Sequence, residues 1–320
     1  MISKPDFEKK QILFVFGGEG EKLSFLNDNV IVKDAEGKMK HQSTCYRLFM
    51  LIVVGEISIT SGLIQRSKKF GFIICLMTRA MRVYEFIGAK MEGNTLLRQK
   101  QYGYEGLDIA RHILRNKLSN QQAVLRKIRY RQASTNTAIS RIGAYRERLD
   151  DVSLGLQEML GLEGLSAREY FKELFSGYEW KGRKPRIKCD YINSTLDIGY
   201  TVLFEFVDAL LNAFGFDTYR GVLHRQFYMR KSLVCDIVEP FRPMIDIQIR
   251  KSLNYNQIKE EDFEKYGERY TLSWKNSPKY ISFLAKPLID NKAAIFDYIL
   301  GYYRCFMKQA ELSDYPVFEV

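Results

Sequence analysis

The spacing of apolar residues changes once along this chain, near residue 93, and this change constrains the fold more than any other feature. Before it, apolar residues form short runs rich in β-branched and aromatic side chains, such as ILFVF at 12–16 and LFMLIVV at 48–54, which are typical of strands. After it, segments such as 107–131 place apolar residues three and four positions apart, as in an amphipathic helix. The sequence therefore predicts an α+β protein of two domains: a small, mainly β domain at 1–93 and a larger all-α domain at 94–320.

Local signals within the first domain predict turns and a short helix. Glu36 and Gly37 are predicted to form a turn, and Ser61 is predicted to cap a helix with the sequence GLIQRSKK. The stretch GGEGE at 17–21 could be a hairpin turn or a phosphate-binding loop. We favour the hairpin, because no Gly-Lys-Ser/Thr sequence follows and acidic residues crowd the stretch.

The charge balance indicates an anionic partner. The chain has 49 Lys and Arg residues against 38 Asp and Glu, a formal net charge of +11, which favours nucleic acid or a membrane surface. Its apolar runs are far shorter than the roughly 18–20 residues of a membrane-spanning helix. The N-terminus also lacks the apolar segment of a signal peptide. We therefore expect a cytoplasmic protein with no membrane span.

Basic residues are concentrated in two segments. In 111–149, ten Lys and Arg side chains accompany a single acidic residue, Glu147. Such a run can be a solvated helix face, but its one-sided charge favours contacts with phosphates. The second segment, at 181–188, holds five cations beside Trp180. This tryptophan could stack on a base or pack against the protein.

Two acidic residues and a histidine form a candidate site within 221–243. Asp236 and Glu239 are three positions apart, so on a helix they would project from the same face and could approach one cation together. Pro240 is tolerated if that helix kinks or ends there. His224 precedes the helix. The same spacing is common in solvated helices, so these residues do not by themselves identify a metal site.

A further carboxylate lies upstream, in the segment MLGLEGLSAREYFKELF. Ser166 and Glu169 match a capping box, in which both side chains cap the start of a helix, so Glu169 is predicted to have a local role. Glu163 precedes Gly164 in the predicted connection and has no such partner. Glu163 is therefore the better candidate for a functional carboxylate.

Carboxylates combined with one imidazole suit Mg²⁺ or Mn²⁺. A structural zinc site would usually recruit cysteines, and the five cysteines of this chain are scattered without a Cys-x-x-Cys pair, which argues against a zinc ribbon and a disulfide framework. A divalent cation beside basic helices indicates phosphodiester chemistry. The cation would neutralise the pentacoordinate transition state and activate the attacking oxygen.

Several motifs, taken in order, resemble those of one family. Each is weak alone, but their order and spacing over roughly two hundred residues are specific. The motifs are NKLSNQQAVLR at 116–126, LEGLSAREYF at 162–171, DYINSTLDIGYTVL at 190–203, GVLHRQFYMRKSLVCDIVEPFRP at 221–243 and DYPVF at 314–318. The chain thereby resembles the CRISPR-associated integrase and endonuclease of spacer acquisition.

The resemblance implies a prokaryotic protein with an N-terminal β domain used for dimerisation and a C-terminal helical catalytic domain. It implies Glu163, His224 and Glu239 as ligands of Mg²⁺ or Mn²⁺. It also implies Asp236 as an auxiliary catalytic group of the same site.

The implied reaction joins DNA strands. The 3′-hydroxyl of a prespacer attacks a phosphodiester at the edge of a CRISPR repeat. Implied partners are double-stranded and branched DNA, a second copy of the chain, a dimer of dimers on DNA and a small companion Cas protein. For Arg242, a contact with DNA and an ion pair that fixes Glu239 both stay open. The residues predicted to contact DNA are Arg115, Lys117, Arg126, Lys127, Arg129, Arg131, Lys181, Arg183, Lys184, Arg186 and Arg242.

Two alternatives stay open at this stage. The same site could serve mainly as a metal-dependent nuclease on branched DNA. The fold could also belong to a non-catalytic DNA-binding scaffold.

Overall fold

The structure, a computed structural model, describes residues 3–18, 20–88, 91, 93–224 and 227–320. They form two compact units, Met1–Gly93 with Asn212–Gly215 and Asn94–Leu211 with Phe216–Val320. The predicted fold class is confirmed: a small region rich in strands precedes a larger helical part.

The first unit contains two four-stranded sheets. One sheet has the order β1-β5-β7-β8, in which β5 runs parallel to β1 and β7, and β8 runs antiparallel to β7. The other has the order β4-β3-β2-β6. The elements in chain order are α1 (Lys4–Glu8), β1 (Gln11–Gly17), β2 (Lys22–Leu26), β3 (Asn29–Lys33), β4 (Met39–Thr44), β5 (Leu48–Gly55), β6 (Ser58–Ile59), α2 (Ser61–Phe70), β7 (Ile73–Met77) and β8 (Val83–Gly88).

Strand β5 explains the longest apolar run of the sequence. All eight of its residues are buried, because the strand has a neighbour on each side and packed side chains on both faces. Leu51 and Val53 belong to a core that includes Leu23 and Val30 of the other sheet and Leu63 of α2. The two sheets therefore share one hydrophobic core.

The predicted turn at Glu36 and Gly37 is confirmed, since it joins the antiparallel strands β3 and β4 and Gly37 has φ +85°. The predicted helix cap is wrong by one residue: Ser61 is the first helical residue of α2, and Thr60 precedes it as the cap residue without a side-chain hydrogen bond. Helix ends depend on a single residue's backbone angles, which composition does not specify.

The predicted hairpin at GGEGE is also wrong. This stretch joins β1 to β2, which belong to different sheets. The Glu21 carboxylate accepts the Gly18 N–H at 2.7 Å and pairs with Lys40. An acidic side chain thus takes up a backbone N–H of the kind that a phosphate-binding loop would present to its ligand.

The second unit is mainly helical. It also contains a two-stranded hairpin, β9 and β10, which the sequence analysis does not predict. Among helices of the described residues, none combines the length and the hydropathy that a bilayer-spanning segment requires. The elements in chain order are α3 (Thr95–Gly103), α4 (Asp108–Arg126), α5 (Ala133–Arg148), α6 (Leu156–Leu174), α7 (Tyr191–Phe214), α8 (Ser232–Ile237), α9 (Arg242–Asn254), β9 (Phe263–Tyr266), β10 (Arg269–Leu272), α10 (Ser277–Asp290) and α11 (Lys292–Lys308).

Helix α4 is the centre of this unit. It packs against α5, α6, α9 and the turn Glu239–Phe241. Its apolar face includes Ile113, Leu114 and Leu118, which are fully buried, yet Lys117 on the same helix is buried as well. A lysine is almost never buried without a partner. The side chains around Lys117 are therefore candidates for a functional site of this unit.

Candidate active site

Glu163 lies in the middle of α6 and not in a connection. The helix begins after Gly155, whose N–H donates to the Glu158 carboxylate at 2.9 Å, and it continues without a break to Leu174. A helical backbone therefore fixes the position of Glu163. Its side chain is 26% exposed, so this carboxylate faces both the protein and solvent.

The predicted capping box of Ser166 and Glu169 is wrong, because both residues are inside α6. The Ser166 hydroxyl is buried and donates to Oε1 of Gln121 on α4 at 2.7 Å. Glu169 pairs with Arg141 at 3.2 Å. Residues three positions apart are neighbours on any helix turn, so the spacing alone does not distinguish a helix start from its interior.

Asp236 organises the loop that carries His224. Its fully buried carboxylate accepts the backbone N–H groups of Val222, Leu223 and His224 at 2.6, 2.9 and 2.9 Å. It also contacts Nδ1 of His224 at 2.6 Å. At Gly221, a Cβ would lie 2.7 Å from Oδ2 of Asp236. The loop can approach the carboxylate this closely only because residue 221 has no side chain.

The contact with Asp236 also sets the tautomer of His224. A carboxylate at hydrogen-bonding distance places the ring proton on Nδ1, which leaves the lone pair on Nε2. This carboxylate–histidine arrangement is the one that commonly orients imidazole ligands of metals. The described structure therefore assigns Asp236 the task of holding His224, which agrees with its implied auxiliary role.

Glu239 begins the turn that follows α8. Pro240 occupies the second position of this turn, and α9 starts at Arg242. Helix α8 ends at Ile237, so Asp236 and Glu239 do not share one helix as the spacing predicts. The Glu239 carboxylate is buried, and its Oε1 lies 3.1 Å from Nε of Arg242. Burial alone would raise the pKa of Glu239, but the charges of Arg242 and Lys117 outweigh it and the pKa is lowered.

Lys117 of α4 joins the two glutamates. Its side chain is 9% exposed, and its ammonium donates a hydrogen bond to Glu163. The same nitrogen lies 2.6 Å from Oε2 of Glu239, and this oxygen accepts no well-aligned hydrogen bond. Burial opposes the charge on Lys117, but the two carboxylates raise its pKa above the usual value.

The structure thus brings Glu163 and Glu239 together through an ammonium group. When it is protonated, His224 also lowers the pKa of Glu239. Within the part of the chain that the structure describes, no three carboxylate, imidazole or thiol side chains converge closely enough to hold a metal ion as they stand. The donor types nevertheless fit Mg²⁺ or Mn²⁺: two carboxylates, one of them with an oxygen that lacks an aligned donor, and an imidazole with a free Nε2.

Arg242 is part of this site, so the ion-pair interpretation of this residue holds. Its guanidinium lies 4.7 Å from the centre of the Tyr200 ring. The Tyr200 hydroxyl donates to Asp246, and the Tyr170 hydroxyl reaches the same carboxylate at 3.1 Å. Burial raises the pKa of Asp246 to about 6, although the two hydroxyl groups oppose this shift. No local sequence pattern predicts this network behind Glu239.

Three motifs of the resemblance meet in space. The carbonyl of Phe318 accepts hydrogen bonds from the side-chain amides of Asn116 and Asn120, at 2.7 and 2.8 Å. Asn120 also donates to the carbonyl of Pro240 at 2.9 Å. The terminal segment and the turn of Glu239 are therefore both tied to the helix that carries Lys117.

The predicted DNA contacts fall into two groups. Lys117 and Arg242 belong to the site, Arg115 pairs with Asp150, and Arg183 pairs with Asp197 at 2.7 Å. Each of these four cations already holds a carboxylate, and their contact with DNA stays a prediction. The exposed residues of the predicted set are Arg126, Lys127, Arg129, Arg131, Lys181, Lys184 and Arg186.

Trp180 packs against aromatic side chains of α6 and its end. Its ring centre lies 4.9 Å from that of Phe175 and 5.8 Å from that of Phe171. Of the two interpretations left open by the sequence, packing is the one that the structure supports.

Comparison with known proteins places the chain in a family. The family described as CRISPR associated protein Cas1 matches residues 14–286. A CRISPR-associated endonuclease Cas1 of Archaeoglobus fulgidus is 25% identical over 279 residues, which cover 78% of this chain and 81% of the relative. One from Rhodospirillum rubrum is 27% identical over 254 residues, covering 73% and 74%.

Solved structures show the same fold. A Cas1 protein from Thermotoga maritima matches with a TM-score of 0.78 at 19% identity, over 94% of this chain and 97% of that one. A casposase bound to its integration product matches with a TM-score of 0.77 at 19% identity, over 97% and 96%. In a Cas6-RT-Cas1–Cas2 complex the TM-score is 0.81 at 20% identity, and the match covers 97% of this chain but 36% of that longer chain. With the sequence match over residues 14–286, these findings show that the chain belongs to the CRISPR-associated Cas1 family.

Proposed function

We propose that this chain is a metal-dependent DNA integrase that inserts prespacer DNA into a CRISPR array. The observation that carries the proposal is the arrangement of Glu163 and Glu239 around Lys117, together with an imidazole, His224, that Asp236 holds through Nδ1. Support also comes from the names of relatives, which are called endonucleases, and from a structural neighbour described as bound to an integration product.

Glu163, His224 and Glu239 would hold the metal. Bound Mg²⁺ or Mn²⁺ would neutralise charge on the reacting phosphate and lower the pKa of the attacking hydroxyl. Asp236 holds the imidazole of His224 through Nδ1, and Arg242 keeps Glu239 ionised. These two residues act on the ligands and not on the substrate.

The substrate is DNA, and the reaction exchanges one phosphodiester for another. A 3′-hydroxyl of the prespacer attacks the phosphodiester at the repeat boundary, and the strand of the array leaves as a new 3′-hydroxyl. The bond energy is conserved, so no nucleotide cofactor is required. Exposed cations at 126–131 and 181–186 would hold the phosphates on either side.

The proposed partners follow from the neighbours. Two solved structures with this fold are described as Cas1–Cas2 complexes, which supports a small companion Cas protein for this chain. A homodimer through the first unit and a dimer of dimers on DNA belong to the same proposal.

A strand-transfer assay with the purified chain tests the function. The substrates are a duplex with free 3′-hydroxyl ends and a repeat-containing target, in Mg²⁺ or Mn²⁺, with and without a companion protein. We expect Glu163→Ala, His224→Ala and Glu239→Ala each to abolish joining, while DNA affinity changes little because the exposed cations supply most of it. Glu169→Ala, on the same helix as Glu163 but in an ion pair with the exposed Arg141, is the matched control and should join normally. Metal-dependent joining by any of the three site variants would remove that residue from the ligand set.

A branched DNA substrate separates the integrase from the nuclease alternative. Joining of strands, together with its reversal on branched DNA, supports the integrase. Cleavage of the branch without joining under any metal condition would instead identify a nuclease, in line with the endonuclease names of the relatives. Binding without either reaction would indicate a scaffold.

A further inference from the structure

Lys117 occupies the space between the two carboxylates that are proposed to bind the metal. Its nitrogen is within hydrogen-bonding distance of both Glu163 and Glu239, and its side chain is almost fully buried. The three N–H donors of an ammonium can satisfy both carboxylates at once. The metal-free arrangement is therefore an ion-pair cluster with Lys117 between the carboxylates, and not an open pair of ligands.

The local charges already balance without a metal. Glu163 and Glu239 carry the negative charges, and Lys117 and Arg242 carry the positive ones, with Arg242 Nε 3.1 Å from Glu239. Two neighbouring carboxylates would repel each other if left alone, and burying them without a cation is costly. Lys117 removes this repulsion, so it stabilises the folded protein before any metal arrives.

A divalent cation and this ammonium compete for the same oxygens. A metal bound to Oε2 of Glu239 needs a distance near 2.0–2.2 Å, and the ammonium now lies 2.6 Å from that oxygen. If both stayed between the carboxylates, two positive charges would be in near contact in a site that is mostly shielded from water. Such repulsion is strong at low dielectric, so one of them must leave.

We propose that Lys117 is a resident counter-cation of the active site, which holds Glu163 and Glu239 together in the metal-free protein and is displaced from them when a divalent cation binds. The proposal rests on the proposed function, since the cation is the Mg²⁺ or Mn²⁺ of that site. Lys117 then acts as a positioning residue. It preforms the carboxylate pair, and it lowers the affinity for metal by the free energy of its own ion pairs.

If Lys117 instead supported the metal-bound state, its removal would change the affinity for metal in the opposite direction. If Lys117 stayed on the outer oxygens of the carboxylates and supported the metal-bound state, its removal would weaken metal binding by about 10- to 100-fold, as for other groups that orient ligands. A competing ammonium must instead weaken the binding of metal, so its removal strengthens it. The sign of the change in affinity distinguishes the two.

The test is Mn²⁺ binding to the full chain without DNA, measured by isothermal titration calorimetry and by the shift of thermal unfolding. For Lys117→Met, which keeps the length and removes the charge, we expect the Kd for Mn²⁺ to fall by about tenfold or more. The metal-free variant should unfold at a lower temperature than wild type, and Mn²⁺ should raise its Tm by more. Lys172→Met is the control, because it removes the same charge from an exposed position on α6, and its Kd should match wild type.

A measurement on the wild-type chain does not depend on the variant folding. Amine-selective labelling, read by mass spectrometry, reports whether the Lys117 ammonium is paired with Glu163 and Glu239. We expect slow labelling without metal and several-fold faster labelling of Lys117, relative to Lys172, in saturating Mn²⁺. Labelling of Lys117 that is unchanged or slower in Mn²⁺ would overturn the proposal.

The outcomes also separate this proposal from the proposed function. If wild type binds Mn²⁺ and Lys117→Met binds it equally or more weakly, only the role of Lys117 is overturned. If neither protein binds Mn²⁺, the metal-dependent function fails and this proposal fails with it. Tighter binding by Lys117→Met supports both.

Discussion

Asp236 is the residue on which the geometry of His224 depends. It is fully buried and accepts hydrogen bonds from three consecutive backbone N–H groups as well as the contact from the imidazole. A carboxylate is suited to this position because it offers only acceptors. An asparagine of the same shape would direct an NH₂ group towards groups that are themselves donors.

We therefore expect Asp236→Asn to lower the free energy of unfolding by about 2–4 kcal/mol, since charge-assisted hydrogen bonds are lost and buried donors are left unpaired. Strand joining should fall at least as far as in His224→Ala, because the tautomer and the loop are both disturbed. Chemical denaturation and the joining assay measure the two effects. Asp290→Asn is the control, since it removes a carboxylate from an exposed pair with Lys286 and should cost less than about 0.5 kcal/mol. An Asp236→Asn protein as stable and as active as wild type would contradict this assignment.

At the residue scale, the sequence favours Glu163 over Glu169 for a reason that the structure contradicts. The choice over Glu169 assumed a helix start at Ser166, whereas both glutamates are on α6. Lys117 was assigned to the DNA surface because its neighbours along the chain are basic. Its true surroundings, Glu163 and Glu239, are 46 and 122 positions away in sequence. Such a contact exists only after the helices pack, and no local pattern contains it.

Among the elements, α7 carries a buried acid that the proposed chemistry does not use. Glu205 is 6% exposed, and its Oε2 accepts no hydrogen bond from the described residues. Burial raises its pKa from the ordinary value of 4.5 to about 7, with Lys231 opposing the shift and Asp208 adding to it. The folded protein therefore retains this proton at a pH where the unfolded chain has lost it.

This shift predicts a pH dependence of stability. The contribution of Glu205 is fully present below pH 4.5 and is lost as the pH rises to about 7, because only the unfolded state gains from ionisation in that window. Glu205→Gln should thus match wild type near pH 4.5 and exceed it at pH 8, by up to about 3 kcal/mol. Denaturant unfolding at several pH values measures this difference. Glu147→Gln, at an exposed position of α5, should show no such dependence. A wild-type advantage at pH 8 would contradict the prediction.

The types of most elements follow from the spacing of apolar residues, while their boundaries and pairings do not. The fully apolar run of β5 is correctly predicted as a strand, but its parallel pairing with β1 and β7 depends on crossovers. Half of the strand residues of β9 and β10 are exposed, and the two strands lack the apolar alternation that predicts strands. The sequence therefore predicts this region as part of the all-α domain.

For the whole molecule, some basic residues pair with acids of the protein and others are exposed to solvent. Lys117, Arg183 and Arg242 neutralise buried or partly buried acids, so their charges are already paired within the protein. The connection between α4 and α5 is different, because Arg126, Lys127, Arg129, Tyr130 and Arg131 are all exposed. The composition predicts an anionic partner, but only the packed structure separates the cations that could contact it.

We expect the double variant Arg129→Gln/Arg131→Gln to bind DNA more weakly and with a less steep dependence on salt. Each lost phosphate contact removes about 0.9 from the slope of log K against log salt, so two contacts predict a decrease of about 1.8. Joining at saturating DNA should persist, since neither residue lies in the site.

The control is Lys265→Gln/Arg269→Gln in the hairpin, which makes the same change in net charge at exposed positions. Fluorescence anisotropy over a range of salt concentrations measures both slopes. If the two double variants lose the same slope, the effect of charge is general and the α4–α5 connection is no specific DNA contact. A decrease confined to the first variant assigns the phosphate contacts to that connection.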